Sequence, residues 1–279
     1  MLTEKDIEQI EDHGLNINQI YGQLETFVRG IPFTQIVTTA TVGNGIHQHS
    51  EKEHHRLEAF FEERKDRLDI VKFVPASGAA TRMFSFLHEF LQNYNPEEQL
   101  FRDYVKRNDS LQLNTFFNST RDFAFINEVR KQIRDAYPDY KQSAKGQRNY
   151  YFATAMLDEG GLNFANKPKG LIPFHKYNKY ATTAFEEQLY EAAYYASVND
   201  DVYLHFTFSE KHLPYFKEEF TKIKNRVSRK TKKTFHISYS FQKKETDTLA
   251  VTSENYPHRD EFKNLIFRPA GHGALLSNL

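Results

Sequence analysis

Apolar residues recur at helical spacing over residues 3–29, at Ile7, Ile10, Leu15, Ile20, Leu24 and Phe27. Thr3 is placed to cap the start and Gly14 interrupts the run, so the pattern predicts a helical pair. Ile31-Pro32 ends it, a β-branched stretch over 34–42 runs into the turn Gly43-Asn44-Gly45, and Leu57, Phe60 and Phe61 mark a helix over about 50–67. Residues 70–74 form a short apolar run that reads as a buried strand, followed by small residues and then by Met83, Leu87, Phe90 and Leu91 at helical spacing up to Asn95-Pro96. Further helices are predicted near 97–107, 120–136 and 147–158, making 84–159 a mostly helical block. Beyond Gly160-Gly161 the pattern alternates: helix 184–197 behind a Thr183/Glu186 capping box, strand 201–208, helix 210–226, strand 234–241. Strands joined by crossover helices predict an α/β fold with a mainly parallel sheet. The last segment reads as a hairpin between 248–251 and 265–267.

Composition changes the picture in three ways. Aromatic residues make up 15% of the chain while all apolar types reach only 39%, so Phe and Tyr must supply much of the core volume. Basic and acidic residues balance at 37 each, which removes any whole-molecule field that would attract nucleic acid or an anionic membrane. The absence of cysteine excludes disulfides, thiolate metal sites and a cysteine nucleophile. No signal peptide or long apolar span is legible, and a soluble cytoplasmic protein is expected.

Two loops carry candidate chemistry. In the first, Ser77, Gly78, Ala79, Ala80 and Thr81 are too small to keep a bulky anion from the backbone, and a helix starting near Arg82 would aim free N–H groups at it. The dinucleotide fingerprint G-x-G-x-x-G and the P-loop motif are both absent, and the plain alternative is a tight turn beside a solvated arginine. In the second, Lys167 and Lys169 sit on a Pro-stiffened loop that leads towards Lys176, suited to reach a phosphate or equally to lie in solvent.

Taken together these strings carry a resemblance. Ala76-Ser77-Gly78-Ala79-Ala80-Thr81-Arg82-Met83 resembles the A-G-G-x-G-T-R-L/M signature of sugar-phosphate nucleotidyltransferases, and Lys167-Pro168-Lys169-Gly170 resembles the P-K-G that completes it. Phe241-Gln242 and Pro269-Ala270-Gly271-His272-Gly273 are similar to the F-x-Q and P-x-G-x-G elements of the UDP-N-acetylglucosamine pyrophosphorylase branch. The strings V-P-A-S-G-A-A-T-R-M and K-P-K-G-L also resemble those of an uncharacterised bacterial domain-of-unknown-function family, which supplies no activity of its own. The resemblance covers about 70–279. It implies a Rossmann-like sheet of the nucleotide-diphospho-sugar transferase type over 69–279, with a helical insertion at about 84–159 and a helical N-terminal extension over 1–68. It further implies that a nucleoside triphosphate, UTP by preference, and a sugar 1-phosphate are joined with release of pyrophosphate. A noncatalytic nucleotide or nucleotide-sugar binding module is the alternative.

By residue-wise analogy, Ser77 to Thr81 and Arg82 would hold the triphosphate, Lys169 would lie against the α-phosphate, and Gln242 with Gly271 would read the base. Arg82 and Lys169 are thus the catalytic candidates. Ala80 replaces a glycine of the signature. Magnesium is the cofactor the resemblance implies, but its aspartate would follow the P-x-G-x-G element, where the chain ends at Leu279; no residue here is assigned as a metal ligand, and the C-terminal part of the domain is expected to be missing. Two weaker signals read as solvated: the histidines at 47, 49, 54 and 55, and the basic run from Lys222 to Lys233 at a helix end. His175 and His272 flank motif residues.

Overall fold

The computed structural model describes residues 2–78 and 80–279. The chain divides into two compact units, one made of residues 1–70 with 240–279, the other of residues 71–239. The C-terminal segment therefore groups with the N-terminal one.

In the first unit, Thr3 caps α1 (Glu4–Asp12) through a reciprocal box with Asp6, and Asn16 does the same for α2 (Ile17–Arg29) with Gln19. Gly14, at φ +82°, makes the turn between them. The β-branched stretch 34–42 does not form the extended element its composition suggests. Its residues are all exposed, and only β1 (Thr41–Val42) pairs across the glycine turn with β2 (Gly45–Ile46). Helix α3 (Glu51–Arg64) follows and buries no residue.

In the second unit, β3 (Val71–Pro75) leads to α4 (Ser85–Asn93), α5 (Phe101–Arg107), α6 (Leu111–Asn118), α7 (Ile126–Ala136) and α8 (Lys145–Leu157). Helix α6 falls between the helices that the pattern predicts near 97–107 and 120–136. Their shared core is ring-rich, as composition required. Phe90 is fully buried, with the rings of Tyr94, Phe101, Tyr104 and Phe117 between 4.8 and 5.8 Å from its own. A hairpin of β4 (Pro173–Lys176) and β5 (Ala181–Thr183) precedes α9 (Ala184–Tyr195), β6 (Ser197–Val198), β7 (Asp201–Phe208) and α10 (Leu213–Thr231); β8 (Thr234–Phe241) runs into the other unit. Thr183 caps α9, but the expected capping box is half made. The Glu186 carboxylate, almost wholly buried, takes two bonds from Arg226 of α10 at 2.9 and 2.5 Å.

The mainly parallel sheet the alternation predicts is not evident. The sheets are small, and the largest has four strands of mixed direction: β7 pairs with β3 in parallel, with β6 antiparallel, and also with β8. Tyr203 stacks on His236 and His205 meets Ser238, so contacts advance in the same direction along β7 and β8. Strand β3 is half-exposed rather than buried: among the described strands it pairs with β7 alone and so forms an edge of its sheet. Behind β7, Phe206 and Phe208 pack on Phe185 of α9 and Phe216 of α10, the last pair stacked at 4.2 Å. About half of the chain is helical in this mixed α/β arrangement. Returning to the first unit, β9 (Thr248–Leu249) and β10 (Phe267–Arg268) pair antiparallel, as expected, and Leu249 and Leu265 complete a small core with Ile10, Leu15 and Ile20. No described helix is long and apolar enough to cross a membrane.

Candidate functional site

The two cationic loops of the second unit meet. Ala76 N–H donates to Thr207 O at 2.7 Å, carrying the β3–β7 ladder one residue past the strand, and the chain then leaves the sheet at its carboxyl edge. There it is joined to the second loop by three hydrogen bonds. Lys169 N–H donates to Gly78 O (3.0 Å), Ala80 N–H donates to Lys167 O (3.3 Å), and the Thr81 hydroxyl donates to Ala165 O (3.3 Å) across 84 positions of chain. A helical block separates the loops in sequence and returns the second one to the first. The Lys169 side chain lies over Gly78, its Cδ 3.8 Å from where a Cβ would stand.

These bonds also define what the edge offers a ligand. The N–H groups of Ala76 and Ala80 are taken by protein carbonyls, as is that of Met83, which donates to Ala80 O at 2.8 Å. Ser77 and Gly78, both half-buried, have N–H groups with no acceptor among the described residues. Arg82 follows as an exposed residue in a 3-10 turn (Thr81–Phe84); α4 begins only at Ser85, so the helix start sits later than the motif suggested. Neither Arg82 nor Lys169 has an ion-pair partner among the described residues, and neither loop contains a carboxylate. The joined loops thus present two amides and two cationic side chains that have no hydrogen-bond acceptor or ion-pair partner among the described residues.

The remaining candidates fall differently. Ala79 lies outside the described residues. Ala80 is completely buried, so its methyl is part of the packing and does not line the ligand face. Lys167 lies over the Phe164 ring, 5.5 Å from its centroid, within electrostatic range of Glu128. Lys176 donates to Arg121 O at 2.7 Å, and His175 faces Glu187 at 3.2 Å. Gln242 and Gly271 belong to the other unit, where the Gln242 amide donates to Ala270 O at 3.4 Å. The basic run is largely paired. Lys222 meets Glu219, Arg226 meets Glu186, Lys230 donates to Tyr180 and Lys233 meets Asp200. No group of three or more His, Asp or Glu side chains able to hold a metal occurs among the described residues, the four N-terminal histidines included.

The profile of a family described as "Domain of unknown function (DUF4301)" matches residues 3–279, the first unit as well as the second. The chain belongs to that family. No curated protein and no solved structure matches it. The loops of this DUF4301 chain thus have to be read from their own geometry.

One residue at this edge escaped the sequence reading. His212, in the turn after β7, is 4% exposed, and its Nδ1 has no hydrogen-bond partner among the described residues. Burial lowers its pKa, and neighbouring Lys211 lowers it further, so the ring is neutral at neutral pH. A lone histidine four residues after a strand carries no pattern that would have marked it.

Proposed function

We propose that the joined loops at the carboxyl edge of β3 bind a phosphate ester, and that the reaction served is nucleotidyl transfer between a nucleoside triphosphate and a sugar 1-phosphate. The observation that carries this reading is the set of hydrogen bonds fastening the Gly78 loop to the Lys169 loop, which brings together the segments that carry Arg82 and Lys169, neither of them ion-paired among the described residues. The β3–β7 pair is parallel, and ligands of parallel α/β strands collect at their carboxyl ends.

In this reading the amides of Ser77 and Gly78 and the Arg82 guanidinium hold the β- and γ-phosphates, and Lys169 lies beside the α-phosphate. A sugar-phosphate oxygen attacks the α-phosphorus, the bond from that phosphorus to the bridging oxygen of the β-phosphate breaks, and pyrophosphate leaves. Little covalent help is needed; fixed positive groups that align the reactants and offset charge on phosphoryl oxygens supply most of the rate. Gln242 and Gly271 are the residues the resemblance gives to the base, and preference among the four triphosphates tests them. Magnesium is usual in such chemistry and is held by one or two carboxylates with the substrate phosphates. The two loops supply no carboxylate, so they do not fit a magnesium site.

That same lack of acidic side chains favours a second reading, a module that binds the nucleotide or nucleotide sugar without turning it over. One experiment separates the two: incubation with UTP, magnesium and a panel of sugar 1-phosphates, read by pyrophosphate release, beside calorimetric titration with UTP. Release supports the transferase, saturable binding without release supports the module, and no binding of any triphosphate removes both.

A further inference from the structure

The loops that carry Arg82 and Lys169 also wall a cavity of about 870 Å³. Met83, next to Arg82, lines it with Phe84 and Phe86, as do Ile172, Pro173 and Phe174 just past Lys169; the remaining wall comes from α6, the turn after it and the chain around Phe123. The volume lies within the range of small-molecule sites. Its lining is mainly aromatic and aliphatic, and three apolar side chains that face it remain substantially in water: Leu111 at 75%, Phe174 at 52% and Met83 at 42% exposure. A ligand with an apolar body would remove that surface from water.

The chemistry of the lining narrows the occupant. Gln112, Thr115, Ser119 and Asp122 are its polar side chains, and all belong to α6 or the turn after it. A sugar would leave most hydroxyls against the Phe and Ile walls without partners, which is costly. Asp122 disfavours an anion on its own rim, whereas the walls at Met83 and Ile172 lead back along the chain to Arg82 and Lys169. We infer that the cavity binds the hydrocarbon chain of an amphiphilic phosphate monoester, whose head lies on the cations at the carboxyl edge of β3. This rests on the phosphate-binding reading above and assigns that site a second class of substrate.

The test is calorimetric titration of the whole chain with decyl phosphate and geranyl phosphate, each below its aggregation threshold, beside inorganic phosphate, decanol and UTP. At least one of the two esters is expected to bind roughly tenfold or more tighter than inorganic phosphate; which one it is separates a fatty from an isoprenoid source. Thr115→Trp, which fills the cavity from an exposed helix position, is expected to weaken that ester about tenfold and leave UTP binding unchanged. Ser119→Trp serves as the second variant, and circular dichroism verifies that both fold. The inference fails if neither ester binds better than inorganic phosphate, if decanol binds as well as the esters, or if both folded variants bind the ester normally. Loss of UTP binding in the unmodified chain would be failure of the phosphate reading itself, whereas UTP binding without ester preference defeats only this inference.

Discussion

Replacing Arg259 by alanine is expected to destabilise the first unit by about 3 kcal/mol, because it leaves a buried carboxylate without its partner. Asp6 is 2% exposed and receives both arms of the guanidinium, Nη1 to Oδ1 at 2.7 Å and Nη2 to Oδ2 at 2.9 Å. Breaking such a pair costs about 3–5 kcal/mol, and the lower figure applies because the arginine side chain keeps 31% of its surface in water. On a unit of this size the shift in thermal midpoint is on the order of 10 °C. The hydrogen bonds from Arg259, helped by those from Thr3, hold the Asp6 carboxyl well below its ordinary value of 3.8. A depressed folded-state value means that this stabilisation is present above pH 3.8 and is lost as pH falls through the folded value. Thermal melts of Arg259→Ala and of the double variant Asp6→Asn/Arg259→Met decide the matter. The double variant is expected to recover part of the loss, since it leaves no unpaired charge. A single variant that melts within a degree or so of the unmodified chain, or a double variant that loses as much as the single, would refute the reasoning.

Three further outcomes follow from local geometry. A methyl at position 146 would stand 2.0 Å from the Tyr94 hydroxyl, so Gly146→Ala is expected to displace that ring from its bond to Gln99 O and cost about 1–3 kcal/mol. In α2, by contrast, a methyl at Gly22 meets nothing within 4 Å, and Gly22→Ala is expected to stabilise by about 0.5–1 kcal/mol; chemical denaturation of the two variants should therefore move in opposite directions. His212 has a folded-state pKa below its ordinary 6.5, so its contribution to stability is present above that pH and lost as pH falls below it. His212→Phe is expected to flatten the fall in thermal midpoint between pH 7 and pH 5, and an unchanged slope would contradict the assigned burial.

What could be read from the sequence was what local pattern dictates. Thr3, the interruption at Gly14, the Thr183 cap and the strands at 71–75, 201–208 and 234–241 all express backbone preference or period, and each is found near its expected place. The sheet was less legible. Alternating strands and helices imply crossovers, yet the pattern holds no sign that two residues, Ser197 and Val198, would turn back antiparallel on β7. The association of the C-terminal segment with the N-terminal helices is carried by polar side chains acting as backbone partners. Gln9 both donates to Leu265 O and accepts from Leu265 N–H at 2.8 Å, and Gln23 accepts from Leu249 N–H at 2.9 Å. A glutamine on a helix surface looks the same in sequence whether it faces water or a strand. For the candidate site, the small residues and the lysine loop were visible as types. Their juxtaposition was not, because it depends on where five helices return the chain. The apolar cavity was hidden for a related reason: α6 is short, and nothing in the order of its residues shows that a space remains beside Phe116.

The central claim is that Arg82 and Lys169 act on one bound phosphate ester, and a double-mutant cycle of UTP affinity measures it directly. Arg82→Ala and Lys169→Ala are each expected to weaken binding, with a coupling between them of about 0.5–3 kcal/mol, as for two groups that share a ligand. Losses that add to within about 0.3–0.5 kcal/mol, or a single variant that binds UTP as tightly as the unmodified chain, would contradict it.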